Sequence, residues 1–301
     1  MAQAEGSRRV VLAALAGNLA IAVTKFVTFA FTGSTSILTE GIHSLVDTTD
    51  QVLLLVGQAR ARKPADDSHP FGYGLETYFW SFIVSLMIFL AGGAVAVWEG
   101  MEKIFHAADV RLPLVSLAVI ALSAVFEGLS FRTAYREYRR IVRGRDVRLF
   151  TFLTISKDPN VFATLLEDGA ALTGLALAAL GVIGSGFLHL AWADGAASVA
   201  IGALLLAVAV FMANETRSLI AGEAAAAPIV EIVRKTAAGC GDLGQMKALK
   251  TLHLGPNSIL VALSWAFPAA WTRAELEAGT AELSRRIRTA DARISEVLFE
   301  A

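Results

Sequence analysis

One cysteine, Cys240, is all that 301 residues contain. A single thiol excludes a disulfide framework within the chain and a thiolate cage for a metal, so any metal site must use nitrogen and oxygen ligands. Nitrogen is scarce too, with five histidines. Charge is thin: 18% of residues are Asp, Glu, Lys or Arg and the formal net charge is −1, so nothing points to nucleic acid. There is no HExxH-type motif with a general base beside a metal, which sets aside an intramembrane metalloenzyme. No organellar targeting sequence is visible. The N-terminal MAQAEGSRRV carries the two arginines of a signal-peptide n-region, but the apolar run after it is too long and lacks a small-residue cleavage site. It is read as a first span, retained.

What the chain has in abundance is apolar length. Mean hydropathy is +0.58 and 55% of residues are hydrophobic, gathered in blocks of about 20 rather than spread with amphipathic period. Six such blocks predict an all-α bundle of six transmembrane helices: Val10 to Phe31, Ile37 to Ala59, Thr77 to Val97, Leu112 to Ser130, Pro159 to Gly184 and Trp192 to Ala213. Gly33-Ser34 forms a tight turn between the first two, and Asp158 with Pro159 marks a helix start for the fifth. Glu127, near the expected end of the fourth span, reads as a snorkelling or paired interfacial acid. Arg8, Arg9, Arg60, Arg62, Lys63 and the run Arg132, Arg136, Arg139, Arg140, Arg143, Arg145, Arg148 and Lys157 fall on one side, against Lys103 and Arg111 on the other. The excess places both termini in the cytoplasm, and an integral protein of the cell (inner) membrane is expected.

After Gly222 the apolar blocks stop. Pro228 to Ala238 has helical period, Lys247 to His253 and Ser258 to Phe267 read as strands around a GPNS turn, Thr272 with Glu275 opens a helix to Thr289, and Arg293 to Phe299 reads as a last strand. That order suits a small cytoplasmic α+β domain of ferredoxin-like type. The expected division is therefore residues 1–221 for transport and 222–301 for dimerisation, since about eighty residues is small for independent stability and favours packing against a second copy.

The second span is the unusual one. On a helix, Glu40, His43, Asp47 and Gln51 fall three, four and four residues apart and form one polar stripe. A charged side chain at the bilayer centre costs roughly 2.5–3.5 kcal/mol on insertion scales. A divalent cation would compensate: His43 and Asp47 at i and i+4 present imidazole nitrogen and carboxylate oxygen on one face, half of a four-coordinate site for Zn²⁺ or a similar ion. Interhelical hydrogen bonding is the competing account, although such polar glue is usually Ser, Thr or Asn.

The fifth span offers the other half. Asn160, Thr164 and Asp168 stand at i, i+4 and i+8, with Glu167 beside Asp168. Asp47, Glu167 and Asp168 brought near His43 cannot all stay ionised in a low-dielectric site, so at least one must hold a proton and the set titrates together. A divalent cation would bind with proton release. Exposed to each side in turn, the site would exchange metal for protons.

The segments HSLVDTTDQ, PADDSHPFGYGLE, SKDP, LLED and LIAGEA together resemble the cation diffusion facilitator family, in its zinc transporter nine-like branch, and the likeness covers nearly the whole chain. It implies a homodimer with cytoplasmic termini that exports Zn²⁺ in exchange for protons by alternating access, with no catalytic activity and the metal as cargo rather than cofactor. His43 and Asp47 match the family's transport-site pair in the second span, and Asp168 matches one member of the pair in the fifth. The other member is Thr164, a poor zinc ligand, so either Glu167 substitutes, with water or Asn160 filling in, or the site is three-coordinate from protein. More oxygen and less imidazole also admits an exporter of Mn²⁺, Fe²⁺ or Co²⁺, and the missing ligand keeps open a non-transporting partner of a heterodimer. Asp50 is a further departure, the branch commonly having Asn there. Some relatives bind a second metal in the loop after the second span, where Asp66 and His69 match but the third position is Tyr73; those two otherwise read as an Asx turn with a capping histidine. Many relatives bind metal in the soluble domain through several histidines, of which His253 is the one present.

Overall fold

The computed structural model describes residues 2–32, 35–106, 113–142 and 147–300. The Gly33-Ser34 turn and the basic residues Arg111, Arg143 and Arg145 lie outside the described residues. The chain divides into two compact units, Met1–Ala59 with Phe79–Thr216, and Arg60–Tyr78 with Arg217–Ala301.

The first unit is helical: α1 (Ala2–Thr32), α2 (Thr35–Arg60), α3 (Glu76–Met87), α4 (Val95–Phe105), α5 (Pro113–Ile141), α6 (Leu149–Ile155), α7 (Pro159–Gly186) and α8 (Ala193–Ala221). A π-helical stretch, Ile88–Ala94, joins α3 to α4 without interrupting the rod. Five segments are long and apolar enough to cross a membrane: Glu5–Phe31, Glu76–Phe105, Pro113–Ile141, Pro159–Gly186 and Ala193–Ala221. The protein is thus an integral membrane protein. Expectation and structure differ at α2, which at ~1.5 Å per residue is also long enough, but whose polar stripe dilutes its hydropathy.

Helices α1, α5 and α7 pack pairwise, burying Val11 and Ala14 of α1, Ala134 of α5 and Val161 and Phe162 of α7. The start of α7 forms as its sequence dictates: the Asp158 side chain accepts from the Asn160 N–H and Pro159 occupies the first turn. α5 runs eleven residues beyond the expected Ser130, because FRTAYREYRRI contains neither Pro nor Gly to stop it. Arg132, Arg136, Arg139 and Arg140 therefore ride on its last turns. Against α4, α8 approaches so closely that only glycine fits. A Cβ at Gly100 would lie 2.6 Å from the Val199 amide nitrogen and 2.8 Å from the Gly195 carbonyl oxygen.

In the second unit, α9 (Ala227–Ala238) and α10 (Arg273–Ala290) accompany a sheet in the order β1 (Gln245–Gly255), β2 (Ser258–Ala266), β3 (Ile294–Glu300). β1 and β2 pair antiparallel, β2 and β3 parallel. Alternation along β2 sends Ile259, Val261, Leu263 and Trp265 inward, where they meet Ile229 and Val233 of α9 and Leu283 and Ile287 of α10. Thr272 and Glu275 form a reciprocal capping box at the start of α10.

Candidate metal site between two membrane helices

The polar stripe of α2 faces a cavity of about 520 Å³ within the helical unit, walled by α1, α2, α5, α7, α8 and the α3–α4 rod. Its mouth lies where α4 ends and α8 begins: Glu102 and His106 are exposed there, and Lys103 pairs with Asp194 at 3.0 Å. Its floor holds Asp47, Asp50 and Glu167, and one carboxylate oxygen from each lies within 4.8 Å of the other two. This is the one group of potential metal ligands so placed among the described residues.

Helix geometry explains the grouping on one side, since Asp47 and Asp50 are three residues apart and share a face. Across the gap Glu167 is aimed by α2 itself: the Gln51 Nε2 donates to its Oε2 at 2.6 Å, and Gln51 is fully buried. That leaves Oε1 of Glu167 without a partner, together with both oxygens of Asp50, Oε1 of Gln51, Oγ1 of Thr164, Oδ1 of Asn160 and Oδ1 of Asp168. Buried polar atoms left unpaired cost roughly 1–3 kcal/mol each, and these are oxygens of α2 and α7, joined in the cavity wall by the unpaired Ser123 hydroxyl of α5. Such a donor-poor, acceptor-rich seam suits a cation.

The expected ligands do not all converge. Asp47 and Glu167 come together; His43, one turn along α2 toward the mouth, lines the same cavity outside the trio. Asp168, 1% exposed, lies outside the cavity lining and accepts at Oδ2 from the Ser130 hydroxyl of α5 at 2.6 Å. Thr164 and Asn160 continue that buried line toward the N-terminal end of α7, where Ser7 of α1 donates to Asp158 at 3.2 Å. Glu40 is tied up near the mouth by Lys25, whose Nζ sits 3.6 Å from its carboxylate and 3.1 Å from the Ser44 hydroxyl.

Glu127 departs from its reading as an interfacial acid. With α5 extended to Ile141 it falls at the helix midpoint, 7% exposed, in the cavity wall. It shares a face with Ser123 and Ser130, both buried. Spacings of four and three residues made that stripe visible in the sequence; only the assumed helix end hid it.

Asp66 and His69 belong to the other unit and sit in an exposed loop. Oδ1 of Asp66 accepts from the Ser68 hydroxyl at 2.7 Å and the His69 N–H at 2.8 Å, and Oδ2 from the Tyr73 hydroxyl at 2.7 Å. The Ser68 and Tyr73 bonds, with that of the His69 backbone, hold its carboxyl well below the ordinary range. His69 stacks on Tyr73 with ring centres 4.0 Å apart. In this loop the ionisable groups satisfy one another as a closed turn. His253 is buried, its Nδ1 3.3 Å from the Gly255 carbonyl.

A family model described as "Cation efflux transmembrane domain" matches residues 11–221. The chain is 31% identical over 208 residues to the Homo sapiens protein named "Proton-coupled zinc antiporter SLC30A9, mitochondrial", covering 69% of this chain and 37% of that protein. It is 29% identical over 218 residues to "Metal tolerance protein C4" of Arabidopsis thaliana, 72% of this chain and 48% of the relative. It is 27% identical over 236 residues to "Magnetosome protein MamM" of Paramagnetospirillum magneticum, 76% and 69% respectively. The chain thus spans less than half the length of the first two relatives.

Proposed function

This chain belongs to the cation diffusion facilitator, or cation efflux, family, in its zinc transporter nine-like branch, and from that premise we propose that it is an efflux transporter exchanging Zn²⁺ for protons by alternating access. The observation that carries the proposal is the seam of unpaired buried oxygens on α2 and α7, which reaches the cavity where Asp47, Asp50 and Glu167 meet. The name of one relative, a proton-coupled zinc antiporter, supports the same cargo, and that of another, a metal tolerance protein, supports a metal.

The proposed ligands are His43, Asp47, Glu167 and Asp168, with Thr164, Asn160 and Glu40 in lesser roles. In the ion-free state the crowded carboxylates hold protons; Zn²⁺ arriving from the cytoplasm displaces them, because its ligands must be deprotonated. Protons entering from the opposite side discharge the ion there. The cavity mouth formed by α4 and α8 is taken as the non-cytoplasmic opening, since the basic residues Arg8, Arg9, Arg132, Arg136, Arg139 and Arg140 belong to the other end of the bundle. In this reading α2 also crosses the membrane, which makes six spans, both termini are cytoplasmic in the cell (inner) membrane, residues 1–221 carry transport, and residues 222–301 form a ferredoxin-like domain through which a homodimer assembles.

The test is zinc flux into proteoliposomes holding the purified chain under an imposed pH gradient. Wild type should move zinc with proton counterflow, and Asp47→Ala and Glu167→Ala should both abolish it. A wild type that moves no zinc rejects the transporter; transport by Glu167→Ala at the wild-type rate rejects the α7 assignment.

A further inference from the structure

We propose that Asp50 is a direct ligand of the transported cation, closing with Asp47 and Glu167 an all-carboxylate seat at the floor of the cavity. The assignment rests on the transporter reading above and deepens it. Three observations carry it. Asp50 is fully buried, yet among the described residues it is the one carboxylate whose two oxygens are both buried and unpaired. The acids of α7 and its N-cap, by contrast, are each held by donors: Asp168 by Ser130, Asp158 by Ser7 and Asn160, Glu167 by Gln51. An acid kept for packing would be satisfied in the same way. Second, one oxygen of Asp50 lies within 4.8 Å of oxygens from Asp47 and Glu167, close enough that small side-chain adjustments bring all three onto one divalent ion. Third, no basic group among the described residues is recorded in an ion pair with the trio; the nearby amine of Lys25 is engaged by Glu40 and Ser44.

The arrangement also gives Gln51 a purpose. Holding Oε2 of Glu167, it turns Oε1 free, so that α7 contributes one oriented oxygen to a seat whose other two come from a single turn of α2. Asp47 is then shared between this seat and the His43 end of the stripe.

The experiment is a calorimetric zinc titration of the purified full-length protein, run beside proteoliposome flux, for wild type, Asp50→Asn and Asp50→Glu. Asp50→Asn should bind zinc at least tenfold more weakly, with an ion-free melting temperature close to wild type, because an amide of the same shape replaces a carboxyl that has no partner to lose. Asp50→Glu, which keeps the carboxylate, should restore part of the binding. Equal affinity in Asp50→Asn overturns the ligand role. So does binding lost equally in both variants with a lowered ion-free melting temperature, which would make Asp50 structural. A wild type that binds zinc but does not move it, with Asp50→Asn weakened, keeps the ligand and removes the transporter. A wild type that moves zinc beside an unaffected Asp50→Asn does the reverse, and one that neither binds nor moves it overturns both.

Discussion

Replacing Gln51 with leucine keeps the bulk of a fully buried side chain and deletes one hydrogen bond, the 2.6 Å contact from Nε2 to Oε2 of Glu167. Its effect on stability is close to a cancellation. The carboxylate loses a donor in a charge-assisted bond worth about 1.5–3 kcal/mol. The same substitution removes Gln51 Oε1, itself buried without a partner, and so relieves about 1–3 kcal/mol. The ion-free melting temperature should therefore stay near that of wild type. Ion affinity should not. Glu167 would have to be oriented afresh at each binding event, and fixing one such side chain costs about 0.5–1.5 kcal/mol, which at 1.4 kcal/mol per decade is roughly a two- to tenfold rise in the zinc Kd. In proteoliposomes the same factor should fall on KM, with the maximal rate within about twofold of wild type, since the deleted bond positions a ligand and does not itself carry the ion. An unchanged KM, or a lost rate with KM intact, would refute the positioning role of Gln51.

Gly100→Ala should lower the melting temperature, because its new Cβ would sit 2.6 Å from the Val199 nitrogen and overpacking of this kind costs about 1–3 kcal/mol; a melt unchanged from wild type would show that α4 and α8 separate freely. Thr272→Ala removes the capping box of α10 and should cost about 1 kcal/mol, seen as faster hydrogen exchange in the first turn of that helix. Glu282, held from 4.5 down to about 2 by hydrogen bonds from Arg285 and then Arg286, stabilises the folded state fully above pH 4.5, and that contribution fades as pH falls toward 2. Glu282→Gln should therefore melt lower at neutral pH and lose less between pH 4.5 and 2; an identical pH slope in the two proteins would contradict the assignment.

Much of this molecule is legible within four residues of chain. The stripe of α2, the start of α7 at Asp158 and Pro159, the capping box of α10 and the alternation of β2 each depend on backbone periodicity and on contacts between near neighbours, so the residues alone determine them. That α2 and α7 each carry buried acids, and that they would need a cation, follows from the same periodicity and the cost of charge in lipid. Which acids meet does not. Gln51 and Glu167 are 116 residues apart, and Ser130 and Asp168 are 38. Whether Asp168 or Glu167 turns toward α2 depends on how far α7 rotates about its own axis, which is set by the fit of α1, α5 and α7 against one another. A helix turns about 100° per residue, so neighbouring acids point to different partners and a modest rotation exchanges their roles. Local sequence therefore determined that α2 and α7 carry a charged seam, while tertiary packing decided that Asp50 meets Asp47 and Glu167, that Ser130 donates to Asp168 and that Glu127 lines the wall.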